Sequence, residues 1–194
     1  MLPIETKADP RVKRTRHLLV NVLLELLCER DYQAITVQDI AARATLNRAT
    51  FYVHFEGKPE LLDYATRERF NEALVARLGA DARLCETHLR LLILTVCEFL
   101  KMFGDHCTSP RHQFHEVVRT QVTAQVRDVL FTWLAEARPS AGRATNELAA
   151  TAASWARYGA AFDWSQQARR SPPTQHVERM LPMLRSMLEA PIPA

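Results

Sequence analysis

Two predicted helix starts near the N-terminus carry residue types that suit the chemistry of nucleic acids. Arg48 follows Asn47 directly, and the fork of an arginine can donate two parallel hydrogen bonds to O6 and N7 of a guanine. Thr36 stands at the other helix start, where unpaired backbone N–H groups favour a bound phosphate. These positions predict a surface that contacts double-stranded DNA, with Arg48 as the base-reading residue.

Three short helices must position these side chains. Apolar residues at helical spacing predict a first helix over 11–29. Thr36 is a suitable N-cap for the second helix, and Asp39 stands three residues on, as in a capping box. Asn47 can cap a third helix that runs to Phe55. Two short helices joined by a tight turn predict a helix-turn-helix.

The third helix is predicted to have an inner and an outer face. Phe51 and Phe55 are four residues apart, and they are predicted to share an inner face with Ile40 and Ala44. The outward positions carry small, polar or basic side chains, as a recognition helix in the major groove requires. These positions are Arg48, Ala49, Thr50 and Val53.

The rest of the chain is predicted to be helical, which gives an all-α fold. Further helical patterns cover the segments 58–79, 84–103, 112–137, 145–170 and 174–189, and Pro182 is expected to kink or interrupt the last one. The expected organisation is a flexible basic arm at 1–10, a helix-turn-helix domain at 11–58, and a larger helical domain at 59–194 for effector binding and dimerisation.

The segment Thr36 to Lys58, which reads TVQDIAARATLNRATFYVHFEGK, resembles the tetracycline-repressor-like (TetR/AcrR) family of bacterial regulators. The matching residues are Thr36, Ile40, Ala41, Ala44, Thr50, Tyr52, His54, Phe55, Lys58 and Leu61. The resemblance implies that Tyr52 contacts a DNA phosphate, that His54 and Lys58 lie beside the DNA backbone, and that Gln38 lies where some members touch bases. It covers about residues 11 to 62.

Three residues depart from the family pattern. Thr45 stands where glycine is usual in the turn, Asn47 where serine is common, and Ala49 where glycine is common. Asparagine caps a helix as well as serine does. A β-branched Thr45 is an outlier if the turn requires a positive φ. The complete set of predicted DNA-binding residues is Lys13, Arg14, Thr36, Gln38, Thr45, Asn47, Arg48, Ala49, Thr50, Tyr52, His54 and Lys58.

The formal net charge of the whole chain is only +3. The first 16 residues contain five basic and two acidic side chains, so they account for the whole of that excess. A basic arm before a helix-turn-helix can lie along a phosphate backbone or enter the minor groove. A solvated terminus without a DNA contact is the alternative interpretation of the same residues.

The larger helical domain is expected to carry a dimer interface and an effector pocket, as the resemblance implies. Small side chains near 145–170 and apolar side chains in the last helix predict the interface, and aromatic residues predict the pocket walls. The predicted interface residues are Ala149, Ala153, Ala156, Ala160, Met180, Leu184 and Met187. The predicted pocket residues are Phe99, Phe103, Phe114, Phe131, Trp133, Trp155 and Phe162. Packing within the chain is the simpler explanation for any one of the aromatics, and alanine also has a high helix propensity.

A group of imidazoles and thiols leaves a second kind of sensing open. His106, Cys107, His112 and His115 lie close in sequence, and Cys85, His88 and Cys97 lie upstream. Nitrogen and sulfur are ligands for zinc or copper, but these spacings match no established finger. We therefore predict no metal site and no cofactor.

The sequence excludes the common enzyme motifs. It contains no GxSxG, phosphate loop or HExxH pattern, and its longest apolar run is far shorter than the ~18 residues of a membrane span. The expected partners are a palindromic DNA operator, a second copy of the chain and a small-molecule effector, with no membrane. We expect a ligand-released dimeric repressor in the bacterial cytoplasm, associated with the nucleoid when it is bound to its operator. An architectural DNA-binding protein without ligand control is the alternative.

Overall fold

The computed structural model describes residues 9–106 and 112–189, without the side chains of 103–106 and 112–114. Over these residues the chain forms eight α-helices, two single 3₁₀ turns and no strand, so the predicted all-α fold is confirmed. The helices are α1 (Pro10–Glu29), α2 (Val37–Arg43), α3 (Arg48–His54), α4 (Lys58–Leu78), α5 (Glu86–His106), α6 (His112–Ala137), α7 (Arg143–Gln166) and α8 (Pro173–Glu189). The 3₁₀ turns are Tyr32–Ala34 and Pro139–Ala141.

The chain packs as two compact units. The first runs to Thr66 and also contains Asp105–Val118, and the second contains Arg67–Gly104 and the chain from Arg119 onward. The predicted functional boundary between residues 58 and 59 stays a prediction. The basic arm at 1–10 lies almost wholly outside the described residues.

In the first unit, α1 packs against both α2 and α3, and α2 packs against α3. Leu19, Leu23 and Leu26 of α1 are fully buried, which matches the predicted helical spacing. Arg43 of α2 donates two hydrogen bonds to the Glu29 carboxylate, at 2.8 and 2.7 Å. This bidentate ion pair links the end of α1 to α2 at the protein surface.

In the second unit, α7 packs against α8. Of the two expected effects of Pro182, an interruption of the last helix is wrong, since α8 continues from Pro173 to Glu189 with Pro182 inside it, and a kink stays a prediction. Pro182 lies on the exposed side of α8, where its ring meets solvent and not a packed neighbour. The helix is held by its other face, on which Val177, Leu181, Leu184 and Leu188 are buried.

Within the described residues no helix is both long and apolar enough to cross a bilayer.

Candidate nucleic-acid interface

The helix α2 begins with the predicted capping box. The backbone N–H of Asp39 donates to the Thr36 hydroxyl oxygen at 3.1 Å, and the backbone N–H of Thr36 donates to the Asp39 carboxylate at 2.8 Å. The Thr36 hydroxyl also donates to that carboxylate at 2.7 Å. These hydrogen bonds from Thr36 lower the pKa of Asp39 below its usual value. Since the Thr36 proton is already donated, a phosphate here would meet chiefly the N–H groups of the first helical turn.

The turn between α2 and α3 has a left-handed residue. Thr45 has φ of 56°, the one positive φ among the described residues other than glycine. The N–H of Thr45 donates to Ala42 O at 3.1 Å, and the N–H of Leu46 donates to Ala41 O at 2.9 Å, which is the Schellman pattern of a helix end. The turn therefore does require a positive φ, and threonine occupies it with its β-branched side chain exposed.

The helix α3 has one buried and one exposed face. Phe51 and Phe55 are 0% and 3% exposed, with ring centroids 6.0 Å apart. Val53 is 79% exposed, and the predicted outward residues Arg48 and Ala49 are exposed with it, whereas Thr50 is half-buried. Asn47 caps the helix by accepting a hydrogen bond from the N–H of Ala49 at 2.9 Å.

Two of the predicted DNA-contacting side chains contact each other. Arg48 donates a hydrogen bond to the Tyr52 hydroxyl at 3.1 Å, and its guanidinium carbon lies 5.5 Å from the centre of the Tyr52 ring. The pair is one helical turn apart on the exposed side of α3, so it forms a single polar surface. Gln38 is also exposed, near the start of α2.

Lys58 has an internal role that the sequence pattern did not reveal. Its ammonium donates to the carbonyl oxygens of Tyr32 and Ile35, each at 2.6 Å, and lies 4.2 Å from the Tyr32 ring centre. Burial lowers the pKa of Lys58 from its usual value. Two of the three ammonium protons thus hold the loop between α1 and α2, and one is left for a phosphate.

Arg16 is one of the five basic residues among the first 16, but its side chain packs inward. Its guanidinium carbon lies 5.4 Å from the Phe55 ring centre and 5.2 Å from the Tyr64 ring centre, and Nη2 donates to His54 O at 3.5 Å. Lys13 and Arg14 are exposed near the start of α1. The basic side chains at this end therefore divide into a structural arginine and exposed charges.

His54 at the end of α3 is half-buried. Burial lowers its pKa, and the positive charge of Arg16 lowers it further. The imidazole is therefore neutral near pH 7, where it can donate one hydrogen bond to a phosphate but adds no charge.

The predicted pocket residues lie in several different environments. Phe99 and Trp133 are buried at 4% and 3% exposure, and Phe131 and Phe162 are half-buried. Trp155 is 50% exposed, with the Arg119 guanidinium 4.8 Å from its ring centre, so it lies on the surface. The side chains of Phe103 and Phe114 lie outside the described residues.

A cavity of about 270 Å³ lies elsewhere in the second unit, between α5 and α8. Among the predicted pocket residues with described side chains, none lines this cavity. Its lining is Leu84, Cys85, Glu86, Leu89, Leu181, Arg185, Leu188 and Glu189.

The predicted dimer residues divide between the core and the surface. Ala149, Ala153 and Leu184 are buried within the chain itself, at 7%, 0% and 1% exposure, so they pack inside the single chain, and their place in a dimer interface stays a prediction. Small size does not distinguish packing within a chain from packing between chains. Ala156 and Met187 are exposed, and Ala160 and Met180 are half-buried.

The group of cysteines and histidines lies only partly within the described residues. Cys107 and the side chains of His106 and His112 lie outside the described residues, whereas His115 is half-buried. Cys28, Cys85 and Cys97 are free thiols, and among the described side chains no three His, Cys, Asp or Glu are arranged to hold a metal ion.

A paired α2 and α3 with an exposed outer face on α3 define a helix-turn-helix DNA-binding domain. Residues 19–65 match the family model described as bacterial regulatory proteins, tetR family. The first unit of the chain is therefore similar to the helix-turn-helix domain of tetR-family regulators.

Individual relatives resemble the chain in two ways. An uncharacterized HTH-type transcriptional regulator, YxbF of Bacillus subtilis, is 46% identical over 59 residues, which are 30% of this chain and 16% of that protein. The fatty acid degradation regulator FadR of Bacillus halodurans has a similar fold, with a TM-score of 0.60, 14% identity, and coverage of 95% of this chain and 97% of that one. FadR of Bacillus subtilis in complex with stearoyl-CoA also has a TM-score of 0.60, at 16% identity, over 88% and 98% of the chains. The sequence likeness is therefore confined to a domain, whereas the fold is shared along most of the chain.

Proposed function

We propose that this protein is a transcriptional regulator that binds a palindromic operator as a dimer through α3. The observation that carries the proposal is the two-sided α3, in which Phe51 and Phe55 are buried while Arg48, Ala49, Tyr52 and Val53 are exposed. A helix fixed by its inner face holds its outer side chains in register with the major groove.

We assign the DNA contacts to two classes. Arg48 is the base-reading residue, and Gln38, Thr45, Ala49 and Thr50 lie beside it at the groove. Phosphate contacts fix register without reading sequence directly, and we assign them to Lys13, Arg14, Thr36, Asn47, Tyr52, His54 and Lys58. The hydrogen bond between Arg48 and Tyr52 supports this division, because a Tyr52 hydroxyl at a phosphate would keep Arg48 close to the neighbouring bases.

We further propose that a small-molecule effector releases the protein from its operator. A solved structure of the same fold is a complex with stearoyl-CoA, which supports a ligand role for a helical domain of this kind. Release would follow from a change in the spacing of the two recognition helices in the dimer. A repressor of this kind acts in the cytoplasm, at promoters on the chromosome.

The test is a gel shift with the DNA that flanks the gene of this protein. Arg48→Ala should weaken binding to the operator and leave binding to random DNA nearly unchanged, with a loss of about 1–3 kcal/mol on the operator. Tyr52→Phe should weaken binding to both DNAs to a similar extent. Arg127→Ala is the matched control, since it removes an exposed arginine of α6 that pairs with Asp128.

Two results would contradict the assignment. Equal losses on operator and random DNA for Arg48→Ala would remove its base-reading role. Diffuse occupancy across the genome, without a few palindromic sites near promoters, would favour the architectural protein over the regulator.

A further inference from the structure

The second unit contains a buried arginine whose hydrogen bonds are incomplete. Arg157 of α7 is 1% exposed, and its Nη1 donates to Leu92 O of α5 at 3.0 Å. Its Nε and Nη2 are shielded from solvent and have no hydrogen-bond partner in the part of the chain that the structure describes. Arg16 and Arg138 are half-buried, and each has a single enclosed nitrogen, Nε, without a hydrogen-bond partner among the described residues. Arg157 is therefore the most enclosed of the three and offers two donors.

The charge of Arg157 has no counter-ion among the described side chains that influence it. Burial lowers its pKa to about 10, so the guanidinium stays protonated near pH 7. The neighbouring thiol of Cys97 has a pKa raised to about 11 by burial, so it stays neutral and supplies no negative charge. An unpaired charge in a protein interior is strongly unfavourable, and an anion at this place would relieve that cost.

A second polar group of the same unit also has an enclosed nitrogen. His176 of α8 is half-buried, and its enclosed Nε2 has no hydrogen-bond partner among the described residues. Its ring packs 5.5 Å from that of Trp164. Burial lowers the pKa of His176, with further lowering by the charges of Arg179 and Arg157. A neutral imidazole within the field of Arg157 can donate a hydrogen bond to a bound anion.

The geometry of the free donors limits the class of anion. Nε–H and Nη2–H lie on one edge of the guanidinium and point in parallel, at the spacing of the two oxygens of a carboxylate. The nearby residues of α5 are apolar, with Ile93 and Val96 at 0% exposure. Such surroundings suit a ligand that has one charged end and an apolar body.

We propose that Arg157 binds the carboxylate of the effector, and that the effector is an organic acid with an apolar body. His176 adds a hydrogen bond to the same carboxylate. That the bound acid acts as the effector rests on the proposed function, whereas the carboxylate site itself does not. The unfavourable free energy of the unpaired Arg157 charge then contributes to ligand affinity, because a bound anion removes it and an uncharged ligand does not.

One variant distinguishes a ligand-binding role of Arg157 from a purely structural role. Arg157→Met keeps much of the volume and removes the charge. Replacing a buried ion by an apolar residue of similar size is often neutral or stabilising. We expect the unliganded variant to melt at the same temperature as the wild type or above it, whereas loss of a structural contact would lower that temperature.

The binding test uses the full chain without DNA, with octanoate and its uncharged analogue octanamide as probes. Octanoate should raise the melting temperature of the wild type, and octanamide should not. Arg157→Met should weaken octanoate binding about 10- to 100-fold, as expected for the loss of charge-assisted hydrogen bonds. Arg138→Met is the matched control, because Arg138 is half-buried, and it should leave octanoate binding unchanged.

Two results would overturn the inference. One is an equal effect of octanoate and octanamide on the melting temperature of the wild type. The other is octanoate binding by Arg157→Met with the affinity of the wild type. If Arg157→Met does not fold, His176→Asn replaces it, and an unchanged affinity for octanoate in that variant contradicts the site.

Gel shifts keep this inference separate from the proposed function. If the wild type binds no DNA, the proposed function fails, and the carboxylate site is still judged by the melting temperatures. If DNA binding is intact and octanoate binds without releasing the operator, carboxylates are not the effector class. Release by octanoate in the wild type but not in Arg157→Met supports the whole inference.

Discussion

Thr45 occupies a backbone conformation that is unfavourable for threonine. Its φ of 56° belongs to the left-handed region, which costs a residue with a Cβ roughly 1–2 kcal/mol. The hydrogen bonds from Thr45 and Leu46 to the end of α2 keep it there. A threonine at this place gives up stability, and its exposed side chain is next to the first turn of α3.

We predict that Thr45→Gly stabilises the protein. Glycine removes the cost of the left-handed conformation but gains about 0.5–1 kcal/mol of entropy in the unfolded chain. The net increase in the free energy of unfolding should therefore be about 0.5–1 kcal/mol, measured by urea denaturation. Ala42→Gly is the control, because Ala42 is exposed inside α2 and should lose a similar amount. A decrease for both variants would show that Thr45 is not strained.

Residue roles that depend on near neighbours were predictable from the sequence, and those that depend on distant ones were not. Thr36 and Asn47 cap helices through residues two or three positions away, so their types and spacing were sufficient. Lys58 bonds to carbonyl groups 26 and 23 residues earlier. Arg16 packs on the rings of Phe55 and Tyr64, which are 39 and 48 positions later along the chain. Nothing in local spacing separates such inward side chains from exposed phosphate contacts.

At the scale of elements, the inner face of α3 fixes the recognition surface. We predict that Phe51→Ala destabilises the protein by about 3–5 kcal/mol, since it removes a fully buried ring from the core of the first unit. Val53→Ala, two residues on and 79% exposed, should change the free energy of unfolding by no more than about 0.5 kcal/mol. Chemical denaturation of both variants makes the comparison, and similar losses would mean that α3 is not held by its inner face.

Helical periodicity predicted the elements better than it predicted which face of a helix is free. The bounds of α1 to α4 agree with the predicted segments to within a residue or two. In α7, alanines occur on both the buried and the exposed side, so composition alone did not identify the outer face. That face carries Leu148 and Trp155, whereas the sequence pattern predicts Trp155 in a pocket.

Both units contain a histidine that should make them sensitive to mild acid. The pKa values of His54 and His176 are lowered by burial from their ordinary value of 6.5. The folded state therefore disfavours their protonation, and stability should fall as pH decreases from about 6.5 towards the lowered pKa values. The penalty is fully present below the folded pKa and absent above the unfolded one.

We predict that His54→Gln and His176→Gln each reduce this acid sensitivity. The measurement is the free energy of unfolding at about pH 7.5 and about pH 5.5, a range above the titration of the carboxylates. His17→Gln is the control, because His17 is exposed on α1. The histidine explanation fails if the difference between the two pH values is the same in the wild type and in both variants.

At the scale of the whole molecule, the small net charge implies that strong DNA binding would depend on dimer formation. With a net charge of only +3, one copy of the chain has little general attraction for DNA, and two half-sites bound together would supply the missing affinity. A dimer needs an apolar surface that is free in the single chain. We predict that it includes the large apolar residues exposed on α7 and α8, namely Leu148, Trp155, Met183 and Met187, at 59%, 50%, 63% and 38% exposure.

We predict that this face holds two copies of the chain together. Charges at the centre of an apolar interface are strongly disfavoured, so the double variant Leu148→Glu with Met183→Glu should shift the mass in analytical ultracentrifugation from twice 22.2 kDa to that mass itself. Operator binding should fall with it, while binding to a single half-site stays weak and unchanged. Val75→Glu is the matched control, since Val75 is 49% exposed on α4 and should leave the dimer intact. A double variant that remains dimeric would place the interface elsewhere, and a monomeric wild type that still binds the full operator tightly would remove the need for a dimer.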